Sequence, residues 1–253
     1  MSDLKKAKKA VKKAGEILRK NYKEDYGVER KAKHDLVTDI DLKAEKKIIK
    51  ILKKTGHSIF GEETGEHEGD EKTWIVDPLD GTTNYVLNNP AFSSAVALVD
   101  EDDEILLSAV YIPFTDDLFY AKKDEGAYLN GDELDVSEVD QLEESLIVFC
   151  HGKKPEDSRK AVELYGKLKT NCKDLRQIGS ASIEYCMVAQ GTSEAFVFPG
   201  APSYDAAPGM LILKEAGGKA TTFGGSEWSL SSKTLIASNG RIHKQLIEKL
   251  EGI

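Results

Sequence analysis

Three short segments of the chain place acidic residues where they could serve as oxygen ligands. In Trp74-Ile75-Val76-Asp77-Pro78-Leu79-Asp80-Gly81-Thr82-Thr83-Asn84 an apolar strand runs into Asp77. Pro78 is expected to end the ladder there, and Asp80 and Gly81 to carry the chain through a tight turn. Two carboxylates then stand side by side at a strand's end. A helix starting near Thr82 would aim its free amides at the same spot, and such amides attract phosphate. Oxygen-only ligands suit magnesium, which takes a few carboxylates and keeps positions for water and substrate oxygens. Asp77 and Asp80 could therefore hold metal while the Gly81 and Thr82 amides hold phosphate. The plainer alternative is an Asp-rich turn that only caps a helix.

The second segment, Ile59-Phe60-Gly61-Glu62-Glu63-Thr64-Gly65, again delivers carboxylates from a strand into a glycine-flanked loop. Glu66, Glu68, Asp70 and Glu71 follow, so a solvated acidic loop is its simpler reading. The third, Ser203-Tyr204-Asp205-Ala206-Ala207-Pro208-Gly209-Met210 through Gly217-Gly218, starts a helix at Asp205, where an ordinary N-cap would also be an aspartate.

The elements that must position these residues can be read from periodicity. Leu4, Ala7, Val11, Ala14 and Leu18 recur at helical steps and predict an amphipathic first helix with a lysine-rich outer face. Asn21 to Asp35 is charged and unpatterned and reads as a loop. A second helix is expected from Thr38 or Asp39 through Leu52, stopping at Gly56. Short strands follow at 58–60 and 74–76, then a hairpin of 95–99 and 105–112 and a strand at 118–121, an antiparallel half. From Ser145 the expected order is strand 146–150, helices 159–169 and 182–189, strand 195–198, a helix from Asp205 to Glu215 and strand 234–237. The change of rhythm predicts a boundary near residue 140 with no flexible linker across it.

With 253 residues, 40% of them hydrophobic, the chain can build one large core or two fused lobes. No stretch approaches the roughly 20 apolar residues of a spanning helix, and the N-terminus is lysine-rich, so a soluble cytoplasmic protein without membrane partners is expected. A net charge of −9 argues against an extended nucleic-acid footprint. An acidic protein that binds phosphate must supply positive charge locally, and a divalent metal does so. Cys150, Cys172 and Cys186 are too few and scattered for a zinc site or a disulfide framework. His57, His67, His151 and His243 lack metal-site spacing and are expected in loops or at the surface. Trp228, Phe196 and Phe198 are expected to be packing residues.

In this order and spacing, GEETG, WIVDPLDGTTNYV and YDAAPGMLILKEAGG resemble the inositol monophosphatase superfamily, and the order of elements between them extends the likeness over almost the whole chain. The resemblance implies a layered αβαβα sandwich of the sugar phosphatase type, α+β / α/β in class. Its two fused lobes would be residues 1–140, helices plus antiparallel sheet with most metal ligands, and 141–253, an α/β lobe with the last ligand and the substrate-side residues.

It also implies Mg2+, two or three ions per active site, with Mn2+ as an alternative. Glu62 and Asp77 would bind metal, Asp77 bridging two ions and the Leu79 carbonyl completing one shell. Asp80 and Asp205 would hold a second ion, although Tyr204 stands where a tryptophan usually precedes the late aspartate. Asp41, with Asp39 competing for the assignment, would orient the attacking water together with Thr82, and Glu62 would help align or deprotonate it. Lys33 matches a lysine of the family's mobile loop. Substrate contacts would come from Asp80, Gly81, Thr82, Asp205 and the segment Gly179-Ser180-Ala181.

The implied activity is hydrolysis of small phosphate monoesters of a polyol or sugar by a homodimer. The inositol enzymes carry a glutamate where this chain has Phe198, which weakens an exclusive claim for inositol phosphate. Similarly compact archaeal-type relatives act on both inositol 1-phosphate and fructose 1,6-bisphosphate. A nucleotide or NADP phosphatase on the same scaffold and a non-catalytic metal- or phosphate-binding module are the competing readings.

Overall fold

The structure, a computed structural model, describes residues 2–32 and 35–253. Helix α1 (Asp3–Asn21) buries Ala7, Val11, Ala14 and Leu18 of the predicted stripe, together with Ala10, while Leu4 is partly buried. Where a loop was expected, the chain instead pairs β1 (Val28–Ala32) with β2 (Asp35–Thr38) as an antiparallel ribbon. Its charged residues lack the apolar alternation that marks a core strand, which is why periodicity missed it. Lys33 and His34 lie outside the described residues. Thr38 then caps α2 (Asp39–Leu52) in a capping box with Asp41.

The first sheet collects β3 (His57–Gly61), β4 (Gly65–His67), β5 (Asp70–Asp80), β6 (Ser93–Val99), β7 (Ile105–Ile112), β8 (Asp117–Lys122), β9 (Ala127–Leu129) and β10 (Asp132–Glu133), with a short helix α3 (Thr82–Val86) between β5 and β6. Its spatial order is β10-β9-β8-β7-β6-β5-β3-β4. The pairing is antiparallel except for β3 against β5, which run parallel, so this half is not wholly antiparallel as expected.

The second sheet draws on β11 (Leu146–Phe149), β12 (Asp174–Arg176), β13 (Ala195–Pro199), β14 (Lys219–Thr221) and β15 (Thr234–Ser238), in the order β12-β11-β13-β15-β14. Helices α4 (Pro155–Lys169), α5 (Ala181–Ala189), α6 (Ser203–Glu215) and α7 (His243–Leu250) complete the chain. Pro155 opens α4 four residues before the predicted start, and α7 was not predicted at all.

Packing arranges these elements in five layers. Helices α1 and α2 cover one face of the first sheet through Leu18, Ile48, Trp74 and Val96. Helices α5 and α6 fill the space between the two sheets, with Ile212 and Cys186 against Ala95 and Val110 on one side, and Tyr185 and Met210 against Phe196 and Phe198 on the other. Helices α4 and α7 close the outside of the second sheet. An element packed on both sides must be apolar all round, and every residue of β6 is buried. Small residues there, Ser93, Ser94, Ala95 and Ala97, let the helical layers approach. Trp228, Phe196 and Phe198 are core residues as expected. Among the described residues no helix is long and apolar enough to cross a membrane.

His243 corrects the expectation of surface histidines, because it is buried at the start of α7. Thr221 donates its hydroxyl proton to the Thr222 carbonyl, so its oxygen accepts from Nε2–H of the ring at 2.9 Å. Ser238 accepts from the Gly240 amide and donates to Nδ1 at 2.7 Å. The neutral Nε2–H tautomer satisfies every group, and burial lowers the ring's pKa from 6.5 to about 4. A histidine with a depressed folded pKa contributes stability that is complete above its unfolded value and is lost as pH falls through the window from 6.5 to about 4. At about 1.36 kcal/mol per unit this amounts to roughly 3 kcal/mol. Urea unfolding at pH 7 and pH 4 should therefore show a steeper acid loss in the wild type than in His243→Gln; equal slopes would assign the loss to other groups.

Candidate active site

The sequence puts Asp77 and Asp80 three residues apart on one strand, a spacing that in regular β-structure sends side chains to opposite faces. The structure resolves this with a bulge. Asp77 faces Ala95 and Asp80 faces Ser93, so β5 spends three steps where β6 spends two. The extra residue reverses the parity and returns Asp80 to the side of Asp77. Pro78 sits in this bulge, where its missing N–H costs no ladder bond. It does not terminate the strand as expected; β5 continues to Asp80. Gly81, at φ +91°, then turns the chain into α3 in a space bounded by the Ala91 carbonyl and Ser180.

These residues open on a cleft of ≈ 600 Å³ between the sheets. Glu62, Asp77, Leu79, Asp80, Gly81 and Thr82 form one wall, and Gly179, Ala181, Phe198, Tyr204 and Asp205 the other. Ser180 and Asp41 stand just behind it, each 1% exposed. All predicted site residues among the described ones thus meet in one place. Asp205 lies in the first turn of α6, whose N-cap position is Pro202, so it is not the N-cap.

Asp77 is buried, and its carboxyl is pushed well above the usual range, first by burial and then by Glu62, Asp80 and Asp205. The Leu79 amide donates to it at 3.1 Å. Asp80 is also raised by burial, but less, because it accepts from the Ser180 hydroxyl (2.7 Å), the Ala181 amide (3.1 Å) and the Ser182 amide (2.6 Å). Lys153 brings a cation to 3.8 Å from Glu62. Asp41 accepts from the Thr38 amide at 2.9 Å and from the Thr38 hydroxyl, while the Thr82 hydroxyl reaches its other oxygen at 3.3 Å. Burial lifts Asp41 to about 6 against those hydrogen bonds. The competing Asp39 accepts from the exposed Gly27 amide instead. Asp41 is therefore both the third-position partner of Thr38 in the capping box and the partner of Thr82.

The donor set fits magnesium in kind: carboxylates and one backbone carbonyl, with no sulfur or imidazole ligand required. Carboxylates crowded closely enough to raise the pKa of Asp77 form a site whose charge calls for a cation. Among the described residues no three side chains stand close enough to enclose an ion on their own. Magnesium does not demand such a cage, because water and substrate oxygens complete its shell.

Fold and cleft together define a layered αβαβα phosphatase of the sugar phosphatase type. The chain belongs to the inositol monophosphatase family, whose model matches residues 1–253. It is 36% identical over 251 residues to an inositol-1-monophosphatase of Caulobacter vibrioides, covering 95% of this chain and 98% of that one. It is 34% identical to the Nus factor SuhB of Escherichia coli, covering 96% of this chain and 94% of its relative. Among solved structures, an extragenic suppressor protein suhB from Bartonella henselae superposes with a TM-score of 0.92 at 31% identity, over 97% of both chains. An IMPase of Thermotoga maritima superposes with a TM-score of 0.91 at 32% identity, over 99% of this chain and 97% of the other.

Several residues of the site carried no sequence signal of their own. Asn84 donates its side-chain amide to Ala91 O at 2.7 Å and Ile178 O at 2.9 Å, tying the two walls together. Lys153, His151 and Cys150 reach the cleft from the loop after β11, and burial pushes the Cys150 thiol up, away from thiolate chemistry. Glu45, one helical turn beyond Asp41, is fully buried and accepts from the Glu63 amide at 3.0 Å. Its spacing from Asp41 on α2 was the available clue. A Cβ on Gly61 would collide with the Glu45 carboxyl. Gly61→Ala should thus cost about 1–3 kcal/mol in urea unfolding, the range of an overpacked core. Combining it with Glu45→Ala should cost less than the sum of the two single changes; additivity would mean the contact is not the cause.

Proposed function

We propose that the chain is a magnesium-dependent phosphoric monoester hydrolase acting on inositol 1-phosphate and fructose 1,6-bisphosphate. The observation that carries this reading is the convergence of Glu62, Asp77, Asp80 and Asp205 on one cleft that also presents Thr82 and Gly81. Family membership and a relative named as an inositol-1-monophosphatase support it. Bound magnesium would polarise the phosphate and lower the pKa of a water.

The chain's own residues have separate tasks. Glu62, Asp77, the Leu79 carbonyl, Asp80 and Asp205 hold the ions, and the same carboxylates exclude free phosphate when no cation is bound. Thr82 is the member of the Asp41–Thr82 pair that touches the cleft. Its hydroxyl has the Leu79 carbonyl at 3.0 Å and Asp41 at 3.3 Å as alternative acceptors; with that carbonyl taken up by an ion, the proton would turn to Asp41 and the lone pairs would accept from the attacking water and fix its direction. Asp41, buried behind it, sets the hydroxyl's orientation. The amides of Gly81 and Thr82 stabilise charge gathering on the phosphoryl oxygens. Gly179 and Ala181 line the substrate-side wall, and Ser180, expected there, lies behind them with its hydroxyl on Asp80. Phe198 offers no polar group to a sugar hydroxyl, which favours a site that accepts more than one polyol. The chain is proposed to act as a homodimer, and light scattering giving a monomer at assay concentration would refute that.

The relatives named Nus factor carry a role in their name other than small-molecule hydrolysis. A net charge of −9 argues against an extended nucleic-acid surface on this chain.

Asp77→Asn tests the chemistry and the physics together. Metal-dependent phosphate release should drop by more than about 100-fold, as for loss of a group that holds the catalytic ion. In chelator the variant should be at least as stable as the wild type, because a buried like charge has been removed. Undiminished turnover would sink the proposal. Side-by-side turnover of inositol 1-phosphate, fructose 1,6-bisphosphate, 3′-phosphoadenosine phosphate and NADP should favour the first two; preference for either nucleotide would reassign the substrate. Metal-dependent phosphate binding without turnover would make the chain a binding module.

A further inference from the structure

Glu184 stands in the buried layer between the sheets, on α5, with no exposed surface. A carboxyl in such a place is costly unless it is engaged. Its Oε1 accepts from the Ile178 amide at 2.8 Å and from the Gly179 amide at 3.4 Å, closing the turn that leads into its own helix. Its Oε2 has no hydrogen-bond partner, and the Cys150 thiol lies beside the carboxyl. Gly179 holds φ +84° in that turn, a left-handed conformation that the two accepted amides lock in place.

Every bond that orients Asp80 from the second wall leaves this same turn. The Ser180 hydroxyl and the Ala181 and Ser182 amides all donate to Asp80. From the opposite direction, the Asn84 side chain donates to the Ile178 and Gly179 carbonyls at 2.9 and 3.3 Å. The turn is thus a joint between the sheets, and Glu184 is the side chain that closes it from inside.

We propose that Glu184 is a positioning residue that fixes the 178–182 turn and, through it, the direction of the Asp80 carboxylate in the cleft. It touches neither substrate nor metal, and its role rests on the reading of Asp80 as a metal-holding group. Burial pushes the Glu184 carboxyl well above the usual range, and what the turn takes from it is acceptance through Oε1, which receives both amides. Glutamine keeps that acceptor, whereas methionine keeps the volume without it.

The test compares the full-length wild type, Glu184→Gln and Glu184→Met well below their unfolding midpoints. The readouts are Mn2+ affinity from the free-ion electron paramagnetic resonance signal, kcat and KM for inositol 1-phosphate, and hydrogen exchange of the Ala181 and Ser182 amides. Glu184→Met should weaken Mn2+ binding and lower kcat by about 10-fold or more, the usual cost of losing an outer hydrogen-bond partner of a ligand, with KM changing less. Exchange at both amides should speed up in parallel. Glu184→Gln should stay within about threefold of the wild type, since its amide oxygen still accepts both bonds.

Unchanged Mn2+ affinity and exchange in Glu184→Met would overturn the proposal, as would a Glu184→Gln variant impaired as severely as Glu184→Met. If Glu184→Met does not fold, Glu184→Asp withdraws the carboxyl by one methylene and should show the same losses in milder form; wild-type values there would equally overturn it. Wild-type protein that binds Mn2+ without turnover would defeat the proposed hydrolase while leaving the Glu184 result readable from affinity and exchange.

Discussion

The crowding of carboxylates around the buried Asp77 governs this structure. Asp77 is almost wholly out of water, with Glu62, Asp80 and Asp205 close enough to raise its pKa, and no folded chain gathers such groups for stability's sake. Each of the four must be held in place by something else. Asp77 and Asp80 are held by a bulge in the centre of an eight-stranded sheet, Glu62 by a turn pinned to Val76 and supported by Glu45, and Asp205 by the first turn of a helix packed between two sheets. The five-layer architecture lets ligands from three separate elements meet at one point, because the cleft lies where the two sheets face each other across the α5–α6 layer.

The supporting contacts follow a common plan. Behind Thr82 stands Asp41, behind the Glu62 turn stands Glu45, and behind the Asp80 clamp stands Glu184, each buried and each accepting at least one backbone N–H or hydroxyl. Buried acceptors of this kind rigidify a site only when their geometry is satisfied on the side that matters. The second oxygens of Glu45 and Glu184 have no hydrogen-bond partner, so a cost is carried at both positions. The ordering they impose falls on the loops that carry ligands, where a displacement of an ångström would be felt in metal affinity.

How much of this was legible in the sequence depended on whether a residue announced itself by pattern. The ligand carboxylates did: Asp77 and Asp80 close an apolar run and are followed by proline and glycine, Glu62 leaves a strand through Gly61, and Asp205 stands where a helix starts. The layered fold followed from the family resemblance that those motifs carry. The β1–β2 ribbon did not, since charged residues without alternation look like a loop. The bulge was illegible in principle: Pro78 predicts an interrupted ladder, but only the pairing with β6 shows that the ladder resumes and that the parity of Asp80 is reversed. His243 was misplaced because a single histidine gives no sign of the Thr221 and Ser238 hydroxyls that receive it.

Glu45 and Glu184 illustrate the hardest class. In a helix, glutamate is a good former and normally solvated, so Ala44-Glu45-Lys46 and Ile183-Glu184-Tyr185 give no warning that the charge points inward. The clue lies in what surrounds them. Helix α5 is apolar on every side, and in the sequence from Ala181 to Ala189 Glu184 is the one charged residue. A charged side chain on a helix with no solvated face must find an internal partner, and the nearest unsatisfied donors are the backbone amides of the turn that starts that helix. The same reasoning that reads an exposed stripe from periodicity can therefore read a buried anchor from its absence.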